Sequence, residues 1–234
     1  MITRESKTVG ILGGMGPYAT ISFYQILLAA TPVTKDWDHL RVIIDVNPHI
    51  PSRSRHHLYG EESPVPAMIE SCRRLEKYPV DFIAIPCNSA CCFISELQSH
   101  IAIRMLNIIE IATSSMANRF PAVRRVAVVG GVTTYERRIY EPFLNAQGIE
   151  YVHHPVEIQR ESETLIEMIK INTPEVEVAV RFQSLIQSIH QVCGIDAIIQ
   201  GCTEFGCMNS AKTSIPIIDS SRELAHEVVK LALA

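Results

Sequence analysis

The sequence predicts an α/β fold of two similar lobes, each a mainly parallel sheet flanked by helices, related by pseudo-twofold symmetry. Three observations predict it. Short apolar runs alternate with amphipathic stretches of helical length, the pattern of strand–helix–strand units. The chain repeats itself at an offset of about half its 234 residues. No low-complexity linker interrupts the alternation.

The strands are expected at Thr8–Leu12, Leu40–Asp45, Asp81–Pro86, Met105–Ile108, Arg125–Val129, Asp196–Gln200 and Ile215–Ile218, each an apolar run of strand length. Helices are expected at Tyr18–Ala29, Pro66–Tyr78, Ala90–Ser99, Ile111–Arg119, Tyr135–Gln147, Glu161–Ile171, Pro174–Val192 and Ser221–Leu233. Pro64 and Pro66 stand where a helix start tolerates proline, and Gly148 follows Gln147 as a helix stop. The reading divides the chain into an N-terminal lobe over residues 1–112, joined by the C-terminal helix at 217–234, and a C-terminal lobe over residues 113–216.

The duplication rests on two segments. Val9-Gly10-Ile11-Leu12-Gly13-Gly14 matches Val126-Ala127-Val128-Val129-Gly130-Gly131, and Tyr18 then falls on Tyr135, all at an offset of 117. Val80-Asp81-Phe82-Ile83-Ala84-Ile85-Pro86-Cys87 matches Ile195-Asp196-Ala197-Ile198-Ile199-Gln200-Gly201-Cys202 at an offset of 115, which brings Cys92 onto Cys207. Apolar strands resemble one another by chance, so the matched Gly-Gly and Asp…Cys positions carry the weight. In lobes that face each other, the equivalent Cys87 and Cys202 would converge on one ligand beyond the carboxyl ends of their strands.

Composition narrows the chemistry. A net charge of −4 and a pI of about 6.1 offer no basic face to nucleic acid or anionic lipid. The two basic clusters, Arg53-Ser54-Arg55-His56-His57 and Arg137-Arg138, are short and read as solvated surface. No apolar run is long enough for a membrane span, and the first residues lack a signal-peptide pattern, so a cytoplasmic protein is expected. The seven cysteines form no spaced framework and are expected as reduced thiols, with Cys72 and Cys193 as buried packing. The pairs His56-His57 and His153-His154 fit no zinc spacing, so no metal is implied. There is no lysine signature for a Schiff-base cofactor, and none is expected.

A thiol at a strand-to-helix turn meets backbone N–H groups and a positive helix end, which favour its thiolate. Asn88, Ser89 and Thr203 follow the two cysteines and can bond a sulfur, cap a helix or hold a carboxylate. Two thiols flanking one ligand suit inversion at carbon. One takes a proton from one face, the other supplies a proton to the opposite face, and helix ends and N–H groups stabilise the carbanion.

Gly13-Gly14-Met15-Gly16-Pro17, Ile85-Pro86-Cys87-Asn88-Ser89-Ala90 and Gly201-Cys202-Thr203-Glu204, with Ile215-Pro216-Ile217-Ile218-Asp219 near the end, resemble the aspartate/glutamate racemase family, in particular its aspartate racemase branch. The resemblance implies a cofactor-independent enzyme with two α/β lobes, a homodimer, that moves a proton between Cys87 and Cys202. Asn47-Pro48-His49-Ile50-Pro51-Ser52-Arg53 resembles the branch's Asn-Pro-x-Ile-Pro-Asp-Arg segment. By that resemblance Met15, Asn47, Asn88, Ser89, Thr203 and Glu204 line the substrate, and Arg53 pairs with a substrate carboxylate through its planar fork. Lys170 falls where the branch carries a second carboxylate-binding cation, and Thr134, or Thr133 beside it, matches a threonine near the substrate. Two cations imply a small dicarboxylic amino acid such as aspartate, or glutamate. The chain departs from the pattern at Ser52, where aspartate is usual, and at Cys91, where the family has histidine.

Two other readings belong to different reactions. Gly14-Met15-Gly16-Pro17-Tyr18-Ala19 fits a Gly-x-Gly-x-x-Ala dinucleotide loop, as in an NAD(P)-binding oxidoreductase, but that leaves both cysteine turns unexplained. Relatives of the same fold include maleate cis–trans isomerases, a further alternative, and arylmalonate decarboxylases, which keep only one of the two cysteines, so that having both argues against decarboxylation. A non-catalytic ligand-binding module is the third alternative.

Overall fold

The computed structural model describes residues 6–171, 173–207 and 215–234. The start of the chain, expected to lack a signal peptide, lies partly outside these residues. The chain forms two compact units, Met1–Ile108 with Ser221–Ala234, and Ile109–Ser220.

The first unit is a four-stranded parallel sheet in the order β2-β1-β3-β4. Its elements are β1 (Val9–Gly13), α1 (Pro17–Ala30), β2 (Val42–Val46), α2 (Arg53–Tyr59), α3 (Val65–Leu75), β3 (Phe82–Ala84), α4 (Ile94–His100) and β4 (Arg104–Leu106). A short 3₁₀ turn at Asp36–Asp38 precedes β2, and a second at Ser89–Phe93 leads into α4. The central strand β1 is buried at every residue, as expected of a parallel strand covered on both faces. One core cluster packs Met68, Cys72 and Leu75 of α3 against Leu12, Ile83 and Ile85.

The second unit repeats this plan in the order β6-β5-β7-β8, again all parallel. It runs α5 (Ile108–Arg119), β5 (Arg125–Val129), α6 (Val132–Glu136), α7 (Glu141–Ala146), β6 (Glu150–Tyr151), α8 (Val156–Lys170), α9 (Glu175–Cys193), β7 (Ala197–Gln200) and β8 (Ile217–Asp219). The helix α10 (Ser220–Leu233) returns to the first unit, where Lys7 N–H donates to the Ala232 carbonyl. The return begins at Ser221 rather than at 217, because Ile217–Asp219 pairs with β7 as the edge strand of the second sheet.

The repeat in sequence is a repeat in bonding. Asp81 sits before β3 and Asp196 before β7. The Asp81 carboxylate accepts the Thr8 N–H at 2.7 Å, and the Asp196 carboxylate accepts the Arg124 and Arg125 N–H groups at 2.8 and 2.9 Å. In return the Asp81 N–H donates to the Thr8 carbonyl and the Asp196 N–H to the Arg125 carbonyl. Each aspartate therefore fixes the start of the central strand of its sheet against the neighbouring strand.

The structure corrects several expected elements. The basic segment after Pro51 is the helix α2, capped by the Ser52 hydroxyl, which accepts the Arg55 N–H at 3.3 Å, and stopped by Gly60 at φ 64°. Ser52 thus fills the N-cap position that an aspartate would fill equally well. The single helix expected over Tyr135–Gln147 is two, α6 and α7. Arg138 between them has φ 46°, and Pro142 at the start of α7 has no N–H to continue α6. The helix expected over Ala90–Ser99 begins as a 3₁₀ turn and becomes α-helical only at Ile94.

Candidate active site

In each sheet the chain runs from the central strand to one side and returns on the other, so the reversal falls between β1 and β3 and between β5 and β7. Ligands of open parallel sheets bind at such reversals, beyond the carboxyl ends of the strands. In the first unit that position holds the Gly13–Gly16 loop after β1 and Cys87 after β3. In the second it holds the Gly130–Thr134 turn after β5 and Cys202 after β7. Both cysteine turns open into five-residue 3₁₀ segments, Ser89–Phe93 and Thr203–Cys207. Each thiol is therefore followed by a 3₁₀ segment rather than directly by the expected α-helix, and after Cys87 that segment leads into α4.

Cys87 is buried, and its N–H is held by the Ile85 carbonyl at 2.8 Å. The Ser89 hydroxyl stands 3.5 Å from the Cys87 Sγ. Asn88 beside it is buried. Cys91, in place of the family histidine, turns its Sγ to the Cys87 carbonyl at 3.8 Å. Cys92 is partly buried, and the side chain of Cys207, its partner in the repeat, lies outside the described residues.

The rest of the first-unit site comes from the loops after β1 and β2. At Gly14, with φ 89°, a Cβ would lie 2.3 Å from the backbone carbonyl of Asn47, so only glycine lets the two loops meet. In the glycine loop of the dinucleotide alternative, the space beside Gly14 is thus taken by the Asn47 backbone, while Gly16 has open space beside it. Asn47 is fixed from both ends of its side chain: its Nδ2 donates to Ser71 at 3.0 Å, and its Oδ1 accepts the His49 N–H at 3.1 Å.

Arg53 opens α2 and reaches back to the glycine loop. Its guanidinium donates to the carbonyls of Met15 and Pro51, each at 3.1 Å, and to that of Ile50 at 3.4 Å. Its Nε is buried without a hydrogen-bond partner. Carbonyls orient a guanidinium but do not neutralise it, so Arg53 is a preset cation able to take a carboxylate. The solvated-surface reading of this basic cluster holds for Arg55, which is ion-paired with Glu61, and not for Arg53.

The second-unit site is tied together differently. The Gly201 N–H donates to the Val129 carbonyl at 2.7 Å, and the buried Thr134 hydroxyl donates to the Gly201 carbonyl at 3.4 Å. Thr133 and Thr203 are buried as well. The Cys202 Sγ donates to a Glu204 carboxylate oxygen at 2.8 Å. Lys170, at the end of α8, donates to Glu167 at 2.7 Å and is about half exposed. Burial pulls its pKa down, but the bond to Glu167 and the charges of Glu167, Glu204 and Cys202 raise it above its ordinary value. Lys170 therefore stays an ammonium within electrostatic reach of Cys202.

Two residues of this unit escape a sequence reading. Gln159 and Ser162 lie on the buried side of α8 and both donate to the Gly130 carbonyl, at 3.0 and 2.9 Å. They hold the turn that carries Thr134. Their signal is faint: two polar residues three apart on a face that continues as Leu165 and Ile166.

The other cysteines separate from these two. Cys72 is fully buried, and burial, with the charges of Glu76 and Asp45, pushes its thiol up to about 12, which makes it inert. Cys193 is partly buried against the second core. Among the described residues no group of three or more His, Cys, Asp or Glu is gathered as for a metal ion, and no helix is long and apolar enough to cross a membrane.

Two parallel-sheet units of one topology, each with a cysteine at its chain reversal, define a duplicated α/β protein. The family model for Asp/Glu/hydantoin racemases matches residues 12–228. The broad specificity amino-acid racemase RacX of Bacillus subtilis (strain 168) is 32% identical over 97% of this chain and 98% of its own. The aspartate racemase of Picrophilus torridus superposes with a TM-score of 0.85 at 30% identity, over 97% of this chain and 94% of that one. The glutamate racemase of Francisella tularensis, solved with D-glutamate, shares the fold at a TM-score of 0.67 and 18% identity, over 97% and 81% of the chains. The chain belongs to the Asp/Glu/hydantoin racemase family, and amino-acid racemisation is the activity that this membership supports.

Proposed function

We propose that this protein interconverts L- and D-aspartate, without pyridoxal phosphate or metal, by proton transfer between Cys87 and Cys202. The single observation that carries the reading is the placement of the two cysteines at equivalent reversals of two equivalent sheets. A duplicated scaffold supplies two like groups, and inversion at carbon needs two like groups, one for each face. In one direction one thiolate takes the α-proton while the other thiol delivers a proton to the opposite face. The roles exchange in the reverse direction.

The choice of a dicarboxylic substrate is supported by two cations. Arg53 is oriented by three carbonyls and has no carboxylate among these bonds, and Lys170 stays charged near Cys202. Both the aspartate racemase from Picrophilus torridus and the broad specificity RacX are relatives at 30% identity or above. Arg53 and Lys170 favour aspartate over a neutral amino acid, for which one cation would suffice. The Met15 loop, Asn47, Asn88, Ser89, Thr134 and Thr203 complete the lining, and the enzyme works as a homodimer in the cytoplasm.

The test is a racemisation assay with purified protein and no added cofactor, following loss of optical rotation from each enantiomer of aspartate, glutamate and alanine. Aspartate is expected to racemise fastest, with alanine at least about tenfold slower for want of a second carboxylate, the factor carried by about 1.4 kcal/mol. Alanine turned over as fast as aspartate would contradict the dicarboxylic assignment.

A further inference from the structure

The two thiols do not have equivalent surroundings. Cys87 has a neutral hydroxyl near its sulfur, Ser89 Oγ at 3.5 Å, whereas the Cys202 S–H donates a hydrogen bond to the Glu204 carboxylate at 2.8 Å. We propose that Glu204 holds Cys202 in the protonated form, so that Cys202 is the thiol that starts as the acid in the ligand-free enzyme.

The physical reason is direct. A carboxylate that accepts an S–H bond stabilises the thiol. Removing that proton would break the bond and place a second negative charge beside the first, which is the like-charge case that disfavours ionisation. Lys170 acts in the opposite sense, since its ammonium feels the charges of both Glu204 and Cys202 and favours the thiolate. Two charged groups that bear on Cys202 are Glu204 on its own turn and Lys170, itself bonded to Glu167, on α8. Glu167 holds the Lys170 ammonium and so weakens its pull on Cys202, whereas Glu204 is bonded to the sulfur directly.

This sets the order of events, and here the inference rests on the two-cysteine reading. The Cys87 thiolate takes the α-proton of the enantiomer whose hydrogen faces it, so a C–H bond breaks and an S–H bond forms. Cys202 gives its proton to the opposite face, where a new C–H bond forms. The turnover leaves Cys87 as thiol and Cys202 as thiolate. The enzyme resets when Cys87 loses a proton to solvent and Cys202 regains one, or it runs the reverse reaction from that state.

The experiment measures the rate of alkylation of Cys202 by iodoacetamide in the ligand-free enzyme near neutral pH, read at the Cys202 peptide by mass spectrometry. A tenfold gain in thiolate is offset by about a factor of three from the lower nucleophilicity of a less basic sulfur. Glu204→Gln, which keeps the side-chain shape, is therefore expected to raise the rate about threefold. Lys170→Met, at an exposed helix end, is expected to lower it. An unchanged or slower rate in Glu204→Gln, or a faster one in Lys170→Met, overturns the proposal. Failure here is distinct from failure of the two-cysteine reading, because alkylation is read without substrate and that reading is judged by turnover.

Discussion

Cys87→Ala and Cys202→Ala are each expected to abolish racemisation of aspartate, with kcat/KM falling by about 10³-fold or more, since each removes one of two acid–base groups worth about 10²–10⁴. The loss should be equal in both directions, because the two enantiomers have the same free energy. No neighbouring thiol should rescue Cys87. Cys91 turns its sulfur toward the Cys87 carbonyl, and Cys72 is buried with its thiol pushed up to about 12. Thermal unfolding of the variants should stay close to that of the parent, which separates lost chemistry from lost fold. A variant of either cysteine that kept near-normal turnover would show that the reaction does not need two thiols.

The second large effect is expected at Arg53. Arg53→Met should lower kcat/KM for aspartate by about 10²-fold or more, the 2–5 kcal/mol that goes with truncating one partner of a buried hydrogen-bonded charge pair. Arg53→Lys should recover little of this. A lysine keeps the charge but loses the planar fork, and it cannot hold the Met15, Ile50 and Pro51 carbonyls at once while meeting a carboxylate. The loss should show in KM at least as strongly as in kcat. An unaltered KM for aspartate in Arg53→Lys would remove Arg53 from the binding role.

Much of this architecture is legible in the residues themselves. The Asp…Cys match at Asp81–Cys87 and Asp196–Cys202 marks two equivalent strands, and the structure gives each aspartate the same task of tying down the central strand. Buried parallel strands such as β1 and β5 announce themselves as unbroken apolar runs. What stays hidden has local causes. The helix α2 has no apolar face to give a period. Its signals are the cap at Ser52 and the stop at Gly60, which frame a run of arginine and histidine that reads as surface. The break between α6 and α7 depends on a positive φ at Arg138, a conformation that an arginine seldom adopts and no pattern announces. The strand β6 has two residues, too few for any periodicity.

The site divides the same way. Cys87, Cys202 and Arg53 stand in motifs that a sequence displays. A glutamate two residues after a cysteine can bond the sulfur or cap a helix, and only geometry separates the two for Glu204. Gln159 and Ser162, which hold the Gly130 turn from α8, lie far from it in sequence and become visible only through packing.

Whether two thiols act on opposite faces of one carbon is decided most directly by the isotope pattern in deuterium oxide. Either enantiomer of aspartate is incubated with the enzyme, without pyridoxal phosphate, and both enantiomers are analysed at early conversion. A two-base enzyme places one deuteron at the α-carbon of the product while the remaining substrate still carries protium, because the proton is lost to one thiol and the deuteron is delivered by the other. Deuterium accumulating in the remaining substrate as fast as in the product would mean that a single base serves both faces, and the two-thiol mechanism would be wrong.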